Sequence, residues 1–158
     1  MSCFVEVAES AVFPLHAGEA WEAVTGCDLT HVSQPFGPIP GVVAIHDEPE
    51  GFLDEPGHSR ILENSDGSTT REAIEALDPP HSISYALSEL TNAFRHVTSG
   101  AKASFEFEPA GGSQTRVTWR YVWQARNVMS LPLVWLITSF AFRPYMRRML
   151  GRMREDAV

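Results

Sequence analysis

The feature that most restricts the fold of this chain is the run from Asn127 to Arg154, the only segment long enough for a major helix. At about 1.5 Å per residue, such a helix would reach roughly 40 Å. Ser130 is placed to cap its start, and Pro132 stands in the first turn, where a missing amide donor is tolerated. Pro144 lies further in and is expected to kink or break the helix.

The two halves of this run differ in character. Residues 131–142 carry no charge and are apolar on every side. Residues 143–154 are amphipathic, with Tyr145, Met149 and Met153 on one stripe and five arginines elsewhere. A helix that is apolar all round is normally buried on most sides, so the first half is expected to be covered by the rest of the chain. It is too short for a membrane-spanning helix, which needs about 20 apolar residues.

The rest of the chain predicts an antiparallel sheet, because segments of alternating polarity follow one another through short turns. A helix over residues 14–25 and a second short helix near 29–33 come after the first strand. We therefore expect an α+β fold in which a curved sheet of about seven strands wraps the long C-terminal helix. The predicted strands are 3–8, 42–46, 57–64, 69–77, 81–89, 101–108 and 115–124.

The Ser65-Asp66-Gly67-Ser68 segment is the strongest hairpin signal. A three-residue loop, 65–67, pairs Asn64 with Ser68 and therefore places Arg60 opposite Glu72. A two-residue loop shifts the register and separates that pair onto opposite faces of the sheet.

The three-residue loop is favoured because it also puts Leu62 and Ile74 on one face, which then becomes the inner one. Arg60 and Glu72 on that face predict a charged pair that orients a carbonyl or hydroxyl group of a ligand. The alternative is a structural ion pair near the rim of the sheet.

Charge is unevenly placed along the 158 residues, whose net charge is −8. Residues 1–142 hold seven basic and eighteen acidic side chains, whereas residues 143–158 hold five arginines and two acidic residues. The acidic body argues against nucleic acid as a partner, because duplex binding requires a broad basic face. The basic end could contact a membrane or an acidic partner, or simply solvate the outer face of a terminal helix.

Compartment and cofactors are constrained by what the sequence lacks. Cys3 and Cys27 have no metal-ligand spacing and do not form a secreted disulfide framework. The first ten residues do not resemble a signal peptide, so we expect a cytoplasmic protein. No phosphate loop, serine elbow or zinc motif is present, and the sequence predicts neither a metal nor another cofactor.

Several short motifs in a fixed order resemble the START-related superfamily (SRPBCC), in particular its polyketide cyclase and dehydratase branch. They are AWEAVT at 20–25, GPIPGV at 37–42, GHSRILENSDG at 57–67, Glu72, Asp78-Pro79-Pro80 before a strand with Tyr85, and GGSQTRVTW at 111–119. The resemblance spans nearly the whole chain and implies one helix-grip domain over residues 1–158. It does not settle the chemistry, because that superfamily contains both enzymes and non-catalytic binders.

A bent sheet and one helix rarely close completely, so we expect a pocket between them. The alternative is that the aromatic rings on this face fill a dry core. Function is then either binding of a hydrophobic small molecule or lipid, or catalysis of the polyketide cyclase or dehydratase type. The C-terminal helix could also contact a membrane peripherally or form a homodimer. The predicted ligand-binding residues are Arg60, Glu72, Ile83, Tyr85, Phe105, Phe107, Trp119, Tyr121, Trp123, Trp135 and Thr138.

Overall fold

A computed structural model of the protein describes residues 3–158. Seven antiparallel strands form one sheet in the order β1-β7-β6-β5-β4-β3-β2. This confirms the predicted seven-stranded sheet and the helix-grip architecture. The strands are β1 Phe4–Phe13, β2 Val42–His46, β3 Ser59–Asn64, β4 Thr69–Asp78, β5 Ser82–Ser88, β6 Thr98–Pro109 and β7 Thr115–Ala125.

One face of the sheet is an aromatic surface, because large rings occupy alternate positions of neighbouring strands. Phe105 on β6 lies opposite Trp119 on β7, and their rings stack with centroids 4.9 Å apart. Tyr121 and Trp123 follow on β7 and stack at 5.6 Å. Successive side chains of a strand point to opposite faces, so the period of two places all these rings on the inner side.

Two short helices, α1 (Ala17–Thr25) and α2 (Leu29–Val32), follow β1 as predicted. The terminal helix consists of α3 (Leu131–Ile137), a π-helical turn (Thr138–Phe142) and α4 (Arg143–Asp156), with no gap between them. Single-turn 3₁₀ helices lie at Ala93–His96 and Val128–Ser130.

Two predictions about the terminal helix need correction. Pro144 does not break the helix, which continues through it, with the π-helical turn lying directly before. Such turns are a common way for a helix to accommodate a local loss of regular bonding. The Ser130 side chain makes no capping bond to α3. Instead the Asn127 side chain accepts a hydrogen bond from the Ser130 backbone N–H, at 2.9 Å, one turn earlier.

The terminal helix lies on the aromatic face of the sheet. The ring of Phe142 meets the rings of Tyr121 and Trp123 edge-on, with centroids 4.7 and 5.2 Å away. Outside this contact, Arg143 and Arg147 both donate to the Glu9 carboxylate of β1, at 3.0 and 3.1 Å. The helix is thus held by a ring contact on its inner side and by an ion-pair cluster at its flank.

The prediction that the apolar half of this helix is covered on most sides is wrong. Val134, Thr138 and Phe142 are buried on the inner side, but Trp135 is 55% exposed and Phe140 is 67% exposed on the outer side. The physical reason is that a sheet can cover only one face of a helix, and no other element of residues 3–158 lies over the opposite face.

Gly100 should be sensitive to substitution because the backbone passes close to β5 at this point. Its φ is +144°, and a Cβ placed there would lie 2.2 Å from the carbonyl oxygen of Leu87. We expect Gly100→Ala to lower the free energy of unfolding by about 1–3 kcal/mol, measured by urea denaturation. Gly18→Ala in α1, where nothing lies within 4 Å, is the control and should be neutral or stabilising. Equal effects of the two substitutions would contradict this interpretation.

Candidate functional site

A cavity lies between the inner face of the sheet and the terminal helix. Its empty space is about 930 Å³ when the open solvent at its rim is included. Sheet residues including Glu72, Tyr85 and Trp119 form one wall, and Val134 and Phe142 of the terminal helix form the opposite wall. Part of the space between the sheet and the terminal helix is therefore unfilled.

A second cavity adjoins the first. The two share walls formed by Glu72, Tyr85 and Trp119. Cys27 lines the second cavity, and burial raises the pKa of its thiol to about 11, so it stays protonated at neutral pH.

Six of the eleven residues singled out from the sequence lie on the wall of the main cavity. Five come from the sheet, on alternate positions of β4, β5 and β7, and one comes from the π-helical turn. The six are Glu72, Tyr85, Trp119, Tyr121, Trp123 and Thr138.

The other five lie elsewhere. Arg60, Ile83 and Phe105 line the second cavity only. Phe107 lines neither; its ring packs against Trp21 of α1, with centroids 5.4 Å apart. The placement of Trp135 on the pocket wall is wrong, because its ring is on the outer face of the terminal helix.

The Arg60–Glu72 pair has the register predicted from the three-residue hairpin loop. The two residues are direct partners across β3 and β4. Arg60 Nε donates to Glu72 Oε1 at 2.8 Å, and its Nη2 lies 2.7 Å from the same oxygen. Arg60 Nη1 also donates to Glu48 at 2.8 Å, and the guanidinium lies 4.3 Å from the ring centre of Phe52. Arg60 is therefore held on three sides.

Glu72 is the acidic group most deeply placed in the cavity wall. Burial raises its pKa above the ordinary value for a glutamate, and the Arg60 guanidinium opposes that rise. Within residues 3–158 both Arg60 contacts fall on Oε1, and no hydrogen bond falls on Oε2. One oxygen of this carboxylate is thus available to a ligand.

The tyrosine hydroxyls on the inner face form a short network. Trp119 Nε1 donates to the Tyr85 hydroxyl at 2.9 Å, and the Tyr85 and Tyr121 oxygens are 3.1 Å apart. The hydrogen bond between these two oxygens uses one of the two hydroxyl protons. The other proton can therefore be donated to a different acceptor. The Tyr145 hydroxyl is paired with Ser33 at 2.5 Å.

Two further side chains of the wall differ in what they can offer a ligand. The Thr138 hydroxyl donates to the backbone carbonyl of Val134 at 2.9 Å, so its proton is already used. Trp123 Nε1 is buried and has no hydrogen-bond partner within residues 3–158. Burying such a donor unpaired costs about 1–3 kcal/mol.

The sequence reasoning missed some residues of the cavity wall. Ile39 and Pro40 come from the GPIPGV segment, which was recognised as a loop only. Leu90, Phe94 and Val97 come from the β5–β6 connection, which was taken to be polar. Their spacing of three to four residues was the available signal for an apolar face turned inward.

Comparisons with known proteins agree with the fold. A family model described as "Polyketide cyclase / dehydrase and lipid transport" matches residues 5–158. No curated protein sequence matches the chain.

Solved structures with the same fold have low sequence identity. The ZhuI aromatase/cyclase from Streptomyces sp. R1128 is 11% identical, with a TM-score of 0.71 over 98% of this chain and 93% of that one. The major latex-like protein 151 from Panax ginseng is 13% identical, with a TM-score of 0.69 over 99% of both chains. The di-domain aromatase/cyclase BexL is 17% identical, with a TM-score of 0.69, and matches over half of its own length.

No helix within residues 3–158 combines the length and hydropathy needed to span a bilayer.

Tyrosine ionisation provides a direct test of the buried network. All three tyrosines of the chain, Tyr85, Tyr121 and Tyr145, have their pKa raised by burial. Above a pH of about 10 the unfolded chain releases phenolic protons that the folded chain retains, so stability falls as pH rises. We expect tyrosinate absorbance to appear only together with loss of near-ultraviolet circular dichroism. A tyrosine that titrates near pH 10 while the dichroism is intact would contradict this.

Proposed function

The chain belongs to the polyketide cyclase / dehydrase and lipid transport family, and from its cavity we propose that it binds a hydrophobic small molecule between the sheet and the terminal helix. The observation that carries this proposal is the open cavity between the sheet and the terminal helix, which is lined mainly by apolar side chains. Ligand pockets in proteins are concave and mostly apolar, with a few placed polar groups.

The shape of the walls favours a flat, largely aromatic or polyketide-like ligand. Trp119, Tyr121 and Trp123 present a continuous row of rings on the sheet side, and Phe142 faces them from the helix. Aromatic rings attract one another in offset-stacked and edge-to-face arrangements, which adds about 0.5–1.5 kcal/mol per ring pair beyond simple burial. A saturated lipid chain would bury the same area without this gain.

The polar atoms of the cavity indicate where an oxygen-bearing end of the ligand would lie. Glu72 Oε2 can accept a hydrogen bond from a ligand hydroxyl. The spare proton of the Tyr85–Tyr121 pair can be donated to a ligand carbonyl. Both groups belong to the sheet wall, so a ligand with oxygens along one edge would satisfy them while its rings stay in the apolar part.

The second candidate function is catalysis of the polyketide cyclase or dehydrase type. It is favoured by the Arg60–Glu72 pair beside Tyr85, because a carboxyl group of raised pKa next to a phenol is suited to move protons on a polyketide substrate. The structural similarity to two aromatase/cyclases supports this candidate only through the shared fold. Turnover of a poly-β-keto thioester by the purified protein, lost in Glu72→Gln, would establish it over simple binding.

Filling the cavity should abolish binding. Leu87 lines the main cavity, whereas Ala86 points to the opposite face of β5. We expect Leu87→Trp to weaken binding of the fluorescent probe 1-aminoanthracene at least tenfold, because the added ring would occupy the ligand's volume, and Ala86→Trp to leave it unchanged. Titration of probe fluorescence measures both.

Native mass spectrometry of the freshly purified protein would complete that test by detecting a ligand bound during expression. The proposal fails if the wild-type protein binds neither the probe nor any small molecule. It also fails if Leu87→Trp, shown to be folded by circular dichroism, binds the probe as tightly as the wild type.

Glu72 should discriminate between ligands that do and do not carry a hydroxyl group. A hydrogen bond to a charged group contributes about 1.5–3 kcal/mol, so we expect 2-naphthol to bind at least tenfold more tightly than naphthalene. Glu72→Gln should reduce that preference while changing naphthalene binding little, as measured by calorimetric titration. Glu63→Gln, which alters a half-exposed carboxylate on β3, should keep the preference. Equal losses for both ligands, with lower thermal stability, would mean that the Arg60–Glu72 pair is structural only.

A further inference from the structure

The outer side of the terminal helix carries an exposed apolar surface. We call it the outer stripe, formed by Met129, Leu133, Leu136 and Phe140 at helical spacing, with Val128 and Trp135 beside them. Met129 is 91% exposed, and the Trp135 and Phe140 rings pair edge-to-face at 6.0 Å. Single exposed apolar residues are ordinary, but a continuous set that includes Trp and Phe usually marks a binding surface.

The outer stripe makes no contribution to the core. The opposite side of the same helix, with Val134, Thr138 and Phe142, makes the contacts with the sheet. Polar residues at Leu136 or Phe140 would therefore keep the fold and remove exposed apolar area. Their presence indicates a partner that covers them.

Charges around the outer stripe are positive. No acidic residue occurs between Pro109 and Arg154, nor between Leu90 and Phe105, although the whole chain has a net charge of −8. Exposed Arg95 and Arg126 lie where the chain enters the terminal helix, and the Arg126 guanidinium donates to the Arg95 carbonyl oxygen.

At the other end of the outer stripe, Arg143, Arg147 and Arg148 are exposed on α4. Glu9 is the carboxylate that Arg143 and Arg147 share, so this cluster also keeps a positive charge. An apolar stripe between two groups of arginines in an otherwise acidic protein complements an anionic surface with an apolar interior.

The outer stripe also lies on the helix that lines the main cavity. Ile137 and Val134 line that cavity from the same helical turns that carry Leu133 and Leu136 outside. Phe94 lines the cavity beside it and directly precedes Arg95. A surface that binds the outer stripe would therefore lie one helix away from the main cavity.

We propose that the outer stripe docks on the surface of an anionic lipid bilayer, with Leu136 and Phe140 among the inserted side chains and the flanking arginines at the headgroups. Helices that lie in a membrane interface carry tryptophan and phenylalanine on one side and arginine at the edges, as this helix does. Such docking would let a hydrophobic ligand exchange directly with the bilayer. This further role rests on the proposed function. A twofold contact between two copies fits less well, because it would bring like-charged arginine groups of both chains together.

Trp135 provides the readout. The chain has four tryptophans, and in its described part Trp135 is exposed while the other three are buried. Its fluorescence should shift to shorter wavelength and become shielded from aqueous iodide when vesicles of phosphatidylcholine with about a third phosphatidylserine are added. Vesicles of phosphatidylcholine alone, or added salt, should reduce the shift, because the attraction between the arginines and the anionic headgroups is then absent or screened. Trp135→Phe should remove the signal.

Two matched pairs of variants distinguish the contribution of apolar insertion from that of charge. Vesicle flotation measures how tightly each variant binds. Leu136→Ser should weaken binding about tenfold, since lost apolar contact with the bilayer is costly, whereas Val43→Ser, equally exposed on β2, should not. Arg126→Glu, directly after β7, should weaken binding about tenfold, whereas Arg116→Glu, near the start of β7, should have a small effect.

The outcomes distinguish this inference from the proposed function. Leu87→Trp, whose cavity is filled, should still bind anionic vesicles. The inference is overturned if the wild-type protein binds no anionic vesicles while it binds 1-aminoanthracene. It is also overturned if analytical ultracentrifugation shows a dimer that Leu136→Ser dissociates, since the outer stripe would then be covered by a second copy.

Discussion

The contact on which the rest of the structure depends is that between Phe142 and the paired rings of Tyr121 and Trp123. These rings lie between the sheet and the middle of the terminal helix and hold the two apart. A helix packed with small residues at this point would lie closer and close the cavity, whereas large rings on both sides keep the two walls apart. The same stack that supplies apolar stabilisation therefore also keeps space open between the sheet and the helix.

The second constraint is register. The hairpin between β3 and β4 places Arg60 directly beside Glu72, and the pairing of β5 with β6 and β7 brings the Tyr85 and Tyr121 hydroxyls together. A slip of one residue would turn each of these side chains to the solvent face. The backbone hydrogen bonds between the strands thus fix the positions of the few polar atoms of the cavity.

The terminal helix has two apolar sides with different roles. Its inner side, with Val134 and Phe142, forms the roof of the cavity, and its outer side, with Leu136 and Phe140, faces solvent between groups of arginines. Because the same short helix carries both surfaces, anything that binds the outside lies within a helix diameter of the ligand, about 10 Å. The proposed ligand binding and the proposed membrane docking would therefore be coupled by proximity.

The sequence by itself determined the seven strands, the inward face of the aromatic residues and the Arg60–Glu72 pairing, because the period of two and the turn residues act locally along the chain. It could not orient the apolar half of the terminal helix. Trp135 was assigned to the pocket because a segment that is apolar on every side has no polar face from which to read a direction. Nor could it show that Ile39, Leu90 and Phe94 line one cavity, since they come together from separate loops. Only the tertiary structure decides such positions, because they depend on which side of the helix the sheet reaches and on which loops end beside it.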